Sequence, residues 1–176
     1  MQIRLATPAD SEGIARVQVD SYRSAYQGIL PDAYLALFID AEEAEDWREL
    51  LSGPTTRILY VAEDADRHIV GYALGAPESG GLPAYASELI ALHVLPAQHR
   101  QGIGRALFAA VAQALAQAGC SSLMLWVLAA NPARGFYEHL GGQLVGEQQV
   151  EIGKGDVGVT ATEVAYGWPA IATIYE

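Results

Sequence analysis

A short turn bearing arginine and glycine, near the middle of the chain, carries the residues best suited to chemistry. Residues 99–105 have the sequence HRQGIGR and lie between the apolar residues 89–95 and an alanine-rich segment, an order that predicts strand, tight turn and helix. Such a turn leaves backbone N–H groups unpaired at the positive end of a helix dipole. Gly102 and Gly104 have no side chain to block close approach, so the expected ligand carries a phosphate group.

The charge distribution supports an anionic ligand at this turn. The 176-residue chain has a formal net charge of -11, which argues against nucleic acid as a partner because that would require a basic face. No carboxylate occurs between Glu88 and Glu138, whereas Arg100, Arg105 and Arg134 all lie in that interval. Such a segment suits an anionic ligand, and a chance absence of acids from an alanine-rich stretch is the alternative.

The composition predicts one globular domain, over residues 1–176, in a reducing compartment. Hydrophobic residues make up 51% of the chain, enough for a substantial core, and no apolar run approaches the length of a bilayer span. Residues 1–4 (MQIR) show no secretory h-region, so no leader is expected. The single cysteine, Cys120, excludes an internal disulfide and a cysteine-based metal site. We therefore expect a cytoplasmic protein that holds no metal and contacts no membrane.

The elements around the turn predict an α/β domain with a largely antiparallel end. Residues 7–10 (TPAD) predict a helix start, and Ile103, Leu107, Val111 and Leu115 form one apolar stripe along the helix after the turn. Further helices are expected at residues 30–37, 41–51 and 132–140, and strands at 3–5, 58–62, 69–74, 88–95, 122–127, 144–152 and 162–168.

Two common phosphate-binding patterns do not fit the turn. A dinucleotide fingerprint needs a third small residue after its two glycines, and an acid about 20 residues later for the ribose. Here the third position is Leu107, and no acid occurs before Glu138. A P-loop needs Gly-Lys followed by Ser or Thr, which this turn lacks. The ligand is therefore expected to be a phosphorylated molecule of another kind.

Two segments together resemble the GNAT superfamily of N-acetyltransferases. Residues 89–107 (LIALHVLPAQHRQGIGRAL) are similar to its acetyl-CoA-binding turn, and residues 131–142 (NPARGFYEHLGG) to its later helix motif. Similarity at residues 3–10, 21–31 and 164–169 extends the resemblance over nearly the whole chain. It implies an α/β (α+β) fold whose mixed, mostly antiparallel sheet has about seven strands, is flanked by helices, and contains a splayed parallel strand pair at the cofactor cleft.

The resemblance places acetyl-CoA along the turn and the strand before it. The pantetheine arm is expected to pair with the strand backbone, and the diphosphate to rest on the N–H groups of the turn. His99 departs from the Gln or Arg usual at its position, which implies a lost or pH-sensitive side-chain contact. The expected cofactor-binding residues are Leu92, His93, Val94, Arg100, Gln101, Gly102, Ile103, Gly104, Arg105, Asn131 and Tyr137.

The resemblance also implies direct attack of an amine on the acetyl thioester. Tyr137 matches the family's general acid, and Glu88 matches an acidic residue that takes the proton of the amine through water. The N–H of Val94 is an expected oxyanion donor. Structural alternatives are a solvated strand end for Glu88, core packing for Tyr137, and a helix cap for Asn131. Arg134 either meets the nucleotide or is a solvated surface residue, and the second is the simpler interpretation.

The acceptor is expected to be a small-molecule or peptidic amine that the sequence does not identify. Tyr22 and Tyr26, on the first helix, are the expected pocket residues, and the side chain of His93 has either of two orientations. The alternatives are transfer of another acyl group, or a non-catalytic acyl-CoA sensor, against which the presence of both Glu88 and Tyr137 argues. The protein is expected to be a monomer or a homodimer.

Overall fold

A seven-stranded sheet forms the centre of the molecule in the computed structural model, which describes residues 1–78, 80–154 and 156–175. The strand order is β1-β2-β3-β4-β5-β7-β6, and β4 and β5 are parallel while the other neighbours are antiparallel. This confirms the expected fold class. The strands are β1 Gln2–Leu5, β2 Ile58–Glu63, β3 Ile69–Ala76, β4 Glu88–Val94, β5 Leu123–Leu128, β6 Gln143–Lys154 and β7 Val157–Trp168.

Helices cover both faces of this sheet. Alternate residues of a strand point to opposite faces, so Val61 packs with α1 on one face whereas its neighbour Ala62 packs with α4 on the other. The helices are α1 Ser11–Tyr26, α2 Asp32–Leu35, α3 Asp40–Ser52, α4 Ile103–Gln117 and α5 Arg134–His139. In the described part of the chain, no helix is both long and apolar enough to cross a membrane.

The predicted start of the first helix is confirmed, with one turn of 3-10 helix, Pro8–Asp10, ahead of α1. The Asp10 carboxylate accepts the backbone N–H of Thr7 at 2.8 Å and is paired with the Arg4 guanidinium at 2.8 Å. Arg4 also binds Glu63 on β2. Its guanidinium therefore fastens the helix start to the edge of the sheet, and it lowers the pKa of Asp10 to about 2.

The parallel strands β4 and β5 separate soon after they meet. In the described structure they share one residue pair, Glu88 with Met124, next to a hydrogen bond from the N–H of Met124 to the carbonyl of Ser87 (3.0 Å). Towards their C-terminal ends the backbones have no such partner in each other. The expected splayed pair is therefore present, and it opens a gap in the middle of the sheet.

The C-terminal hairpin is longer than its sequence pattern predicted. The sequence placed the start of its second strand at Thr162, but β7 begins at Val157 and pairs with β6 back to Lys154. The additional residues pack on α1 and α2 through Val157, Val159 and Ala161. The predicted glycine-rich turn includes Gly155, which lies outside the described residues. The short helix expected at 132–140 begins only at Arg134, after a turn.

Candidate active site

Two cavities meet in the gap between β4 and β5. The first, of about 350 Å³, extends from the gap towards α1 and the C-terminal hairpin. The second, of about 920 Å³, extends from the gap over the glycine turn and α5. Leu92, Val94, Asn131 and Tyr137 line both. One continuous cleft therefore connects the glycine turn to a pocket on the other side of Tyr137.

The glycine turn presents its backbone to the second cavity. Gly102 precedes α4 with a φ of 80°, a left-handed conformation that glycine adopts without strain, and Arg100 has a φ of 61°. The hydrogen bond from Ala106 to the Gly102 carbonyl, at 3.0 Å, closes the first helical turn. The N–H groups of residues 100–105 donate to no backbone carbonyl in the described structure. Their arrangement suits an anionic ligand.

Most of the predicted turn residues line this cavity, namely Arg100, Gly102, Ile103, Gly104 and Arg105. Gln101 does not line it, because its side chain is directed back to the carbonyl of Ala97 at 3.4 Å. A Cβ at Gly104 would lie 3.5 Å from the Phe136 ring, an ordinary contact. Gly104 therefore has room for a methyl group, whereas anything larger would extend into the cavity.

His99 interacts with the strand that it follows. Its Nε2 lies 2.9 Å from the carbonyl oxygen of Val94, which the Ser21 hydroxyl also approaches at 3.4 Å. The side chain that departs from the family pattern therefore caps the end of β4 in this chain. The Val94 carbonyl is occupied, and the N–H of Val94 is the group that faces a ligand.

The backbone of β4 offers alternate residues to the gap. The N–H of Leu95 donates to the Val70 carbonyl on β3 at 2.9 Å. Because alternate residues of a strand direct their N–H and C=O groups to opposite neighbours, the backbone of His93 faces β3. Those of Leu92 and Val94 face the gap. The expected backbone pairing with an extended ligand therefore fits Leu92 and Val94, whereas the backbone of His93 is turned away.

Tyr137 and Asn131 both line the region where the two cavities meet. Tyr137 is 8% exposed, and burial raises the pKa of its phenol, so the O–H stays protonated at neutral pH. Asn131 is 7% exposed and accepts the N–H of Ala133 through Oδ1 at 2.8 Å, in the turn that precedes α5. The N-cap of α5 is Ala133, so Asn131 is not the helix cap that its sequence position also allowed. Its hydrogen bond within the turn leaves Asn131 on the cavity wall.

Arg134 is held by neighbouring elements and is not the free surface side chain that the sequence favoured, and its contact with the nucleotide stays a prediction. Its Nε donates to the Tyr166 hydroxyl at 3.0 Å, and its Nη1 donates to the Ala129 carbonyl at 3.0 Å. The Tyr166 hydroxyl in turn donates to Glu138. Arg134 lines neither cavity. It fastens α5 to the end of β5 and to β7, and so positions the helix that carries Tyr137.

Glu88 lies at the start of β4, outside the lining of both cavities. Its Oε2 would be 2.7 Å from a Cβ built on Gly80, so the carboxylate lies against that loop. Burial, followed by the charges of Glu78 and Glu163, raises the pKa of Glu88. The negative charge of Glu163 therefore contributes to the raised pKa of Glu88. The role of Glu88 as a base stays a prediction.

The two tyrosines expected on the acceptor side both line the first cavity. Tyr22 and Tyr26 contact edge to face, with ring centroids 5.0 Å apart. The imidazole of His93 points to the same side and lies between Tyr22, at 5.2 Å, and Tyr72, at 5.3 Å. This settles the orientation of His93, whose side chain is part of an aromatic cluster under the pocket.

The sequence of residues 19–142 matches the Acetyltransferase (GNAT) family. The chain belongs to this family. Over 172 residues it is 34% identical to the uncharacterized N-acetyltransferase YuaI of Bacillus subtilis (strain 168). The alignment covers 98% of this chain and 95% of that protein. Membership makes the protein an N-acetyltransferase, in agreement with the resemblance of its two motifs.

Solved structures share the GNAT fold at lower identity. The PaiA N-acetyltransferase of Thermoplasma acidophilum, in complex with coenzyme A, has a TM-score of 0.72 and 18% identity, and the alignment covers 96% of this chain and 100% of that one. The ribosomal-protein-alanine N-acetyltransferase of Brucella melitensis has a TM-score of 0.68, 23% identity, and coverages of 96% and 99%. The structure of yncA of Salmonella typhimurium, solved with acetyl-CoA, has a TM-score of 0.67 and 19% identity, and the alignment covers 96% of this chain and 92% of that one.

One acidic side chain of this acetyltransferase's pocket was missed by sequence analysis. Glu163 lines the first cavity from β7, where it pairs with Leu128 of β5 and Gln148 of β6. The signal was the alternation of Val157, Val159 and Ala161, whose next position on that face is residue 163. Tyr34 on α2 lines the same cavity and was also missed.

A possible metal cluster in the described residues lies elsewhere. Asp64, Asp66 and His68, in the turn between β2 and β3, have ligand atoms within 4.8 Å of one another. None of them lines either cavity of the acetyltransferase cleft. The Asp64 carboxylate accepts the backbone N–H groups of Asp66 and His68, each at 2.9 Å, which accounts for its position in the turn.

We expect the stability of the folded protein to fall at acidic pH because the side chain of His93 is enclosed. Burial lowers its pKa from 6.5 to about 4. Between these values the unfolded chain binds a proton that the folded protein does not, so lowering the pH favours unfolding, by at most about 1.4 kcal/mol per pH unit. In urea unfolding at pH 7, 5.5 and 4.5, wild type should lose stability relative to His93→Phe. A stability difference that stays constant with pH would contradict the enclosure.

Proposed function

We propose that this protein transfers an acetyl group from acetyl-CoA to the primary amine of a small-molecule or peptidic acceptor. The observation that carries the proposal is the continuity of the cleft, since the exposed backbone of the turn leads past Leu92 and Val94 to Tyr137 and then to a second pocket. The GNAT structures that contain coenzyme A or acetyl-CoA support this choice of donor. The diphosphate binds the N–H groups of the turn, and the pantetheine arm lies in the gap.

The proposed chemistry needs a neutral amine at the thioester. An alkylamine has a pKa of about 10.4 in water, so a proton must leave the nucleophile. The nitrogen attacks the carbonyl carbon, a C–N bond forms, and the tetrahedral intermediate then loses the CoA sulfur. Glu88 takes the amine proton through water, and its raised pKa makes the carboxylate a better proton acceptor. The charge of the intermediate falls on oxygen, where the N–H of Val94 donates.

Tyr137 is the proposed donor to the departing thiolate. Its phenol lies where the cofactor cavity meets the acceptor cavity, and its raised pKa keeps the proton available. The sulfur leaves as the free thiol, and the second proton that the nitrogen loses on becoming an amide restores the Tyr137 phenol through solvent. We further propose that residues 1–176 act as one domain, in the cytoplasm, without a metal, as a monomer or a homodimer.

The test of this function is acetyl-CoA-dependent acetylation of an amine library. We expect at least one primary amine to release free CoA thiol and to gain an acetyl group, measured by a thiol reagent and by mass spectrometry. A wild-type protein that binds acetyl-CoA but acetylates no amine would instead be a sensor, and the proposed function would be rejected.

A further inference from the structure

The acceptor end of the cleft is an aromatic alcove under the C-terminal hairpin. Tyr22 and Tyr26 from α1, Tyr34 from α2 and Trp126 from β5 line it, and Ile152 of β6 lies across it. The pKa values of Tyr22 and Tyr26 are raised mainly by burial, so these phenols are neutral. Neutral phenol rings offer π faces and hydroxyl groups, which suit an apolar body carrying a cation.

One side chain supplies the fixed charge of this alcove. Among the described residues that line the first cavity, Glu163 is the only Asp, Glu, Lys or Arg. His93 and His99 also line it, and the pKa of His93, lowered to about 4 by burial, makes that imidazole neutral at pH 7. Gln148 donates its Nε2 to Glu163 Oε2 at 3.2 Å. Glu163, Tyr22 and Tyr26 all line this cavity, so a ligand bound there meets the carboxylate and both rings.

The cation of the hairpin is held away from the alcove. Lys154, at the end of β6, forms an ion pair with the buried Glu43 of α3 and lies 4.5 Å above the ring of Phe38. Gln18 donates to the other oxygen of Glu43 at 2.9 Å. Lys154 lines neither cavity, and its positive charge is compensated by Glu43. Among the described residues, the wall therefore has a carboxylate for an ammonium group but no lysine or arginine for an acceptor carboxylate.

We propose that the acceptor is an amine with an aromatic or compact apolar body and no carboxylate, and that Glu163 binds its ammonium group before proton loss. This rests on the proposed acetyl transfer and adds to it the class of acceptor and a residue that selects it. An amino acid would bring its own carboxylate close to Glu163 without a compensating cation, which is costly in a partly buried site. Glu163 binds the amine, and Glu88 remains the proposed proton acceptor.

The test compares phenethylamine with phenylalanine, which differ by one carboxylate. In calorimetry on the CoA-loaded protein, wild type should bind phenethylamine at least roughly tenfold more tightly than phenylalanine, because both offer an ammonium group to Glu163 but the carboxylate of phenylalanine adds repulsion. Glu163→Gln should weaken phenethylamine binding by roughly tenfold to a hundredfold. In turnover with acetyl-CoA, the same variant should raise KM for phenethylamine more than it lowers kcat.

Glu147→Gln is the matched control, since Glu147 is an exposed acid on β6 that lines neither cavity. It should bind both probes as wild type does, and unchanged acetyl-CoA affinity in both variants shows that the fold is intact. Equal affinity for the two probes, unaltered phenethylamine affinity in Glu163→Gln, or no phenethylamine binding would overturn the assignment. Each of these results leaves the proposed function standing if another amine is acetylated, whereas failure of every amine in the library rejects that function.

Discussion

Gly104→Val should abolish acetyl-CoA binding while the domain stays folded. Gly104 is the second residue of α4, and its α-carbon faces Phe136 across the wall of the larger cavity. The two γ-methyl groups of valine extend beyond the space that a methyl group fills and meet the proposed diphosphate position. We expect the dissociation constant measured by calorimetry to rise by roughly a hundredfold or more, an overpacking cost of about 3 kcal/mol.

The matched control for this substitution is Gly104→Ala. The Cβ of alanine makes only ordinary contact with Phe136, at 3.5 Å, so acetyl-CoA affinity should stay within a few fold of wild type. Both residues favour helix more than glycine does, so neither variant should lower the Tm. Unchanged acetyl-CoA affinity in Gly104→Val would show that the cofactor does not approach this turn.

Tyr137→Phe should lower kcat by roughly a hundredfold and leave acetyl-CoA affinity nearly unchanged. The substitution removes only the hydroxyl, so the buried ring keeps its contacts with Phe136. The departing thiolate then has no proton donor on the cleft wall, and the chemical step slows. Steady-state kinetics with an acceptor from the amine library would give kcat, and calorimetry would give the acetyl-CoA affinity.

The control is Tyr60→Phe, which removes a hydroxyl on β2, away from both cavities, and should retain wild-type turnover.

The raised pKa of Tyr137 also determines how kcat depends on pH under alkaline conditions. Because the phenol is the protonated form in use, wild-type kcat should not fall through this group until the pH exceeds its ordinary value of about 10. Equal kcat in Tyr137→Phe and wild type would remove Tyr137 from the mechanism.

The elements that carry the cofactor side could be predicted from local sequence. The glycines of residues 99–105 and the apolar stripe of α4 are short-range patterns, and they fix where a strand ends and a helix starts. The position of Tyr137 follows from the short α5 behind β5. The separation of β4 from β5 was predicted from the resemblance to the GNAT superfamily and not from hydrophobic periodicity, because a parallel strand pair has no short-range sequence pattern.

The acceptor side depends on contacts between residues far apart in the chain. Glu163 enters the pocket because β7 lies between β5 and β6, an order that no local pattern contains. Arg134 binds Tyr166, 32 positions away, so its charge could not be assigned from neighbouring residues. The start of β7 was placed too late because Gly158 weakens the strand pattern, while Val157 and Val159 gain their stability from packing on α1 and α2.

The most direct test of the cofactor position is a crystal structure of the protein with coenzyme A. We expect diphosphate oxygens within hydrogen-bonding distance of the N–H groups between Gln101 and Arg105. The pantetheine should lie between β4 and β5, along the gap-facing backbone of Leu92 and Val94, with its sulfur next to Tyr137. A coenzyme bound elsewhere, or a turn closed by its own side chains, would contradict the account.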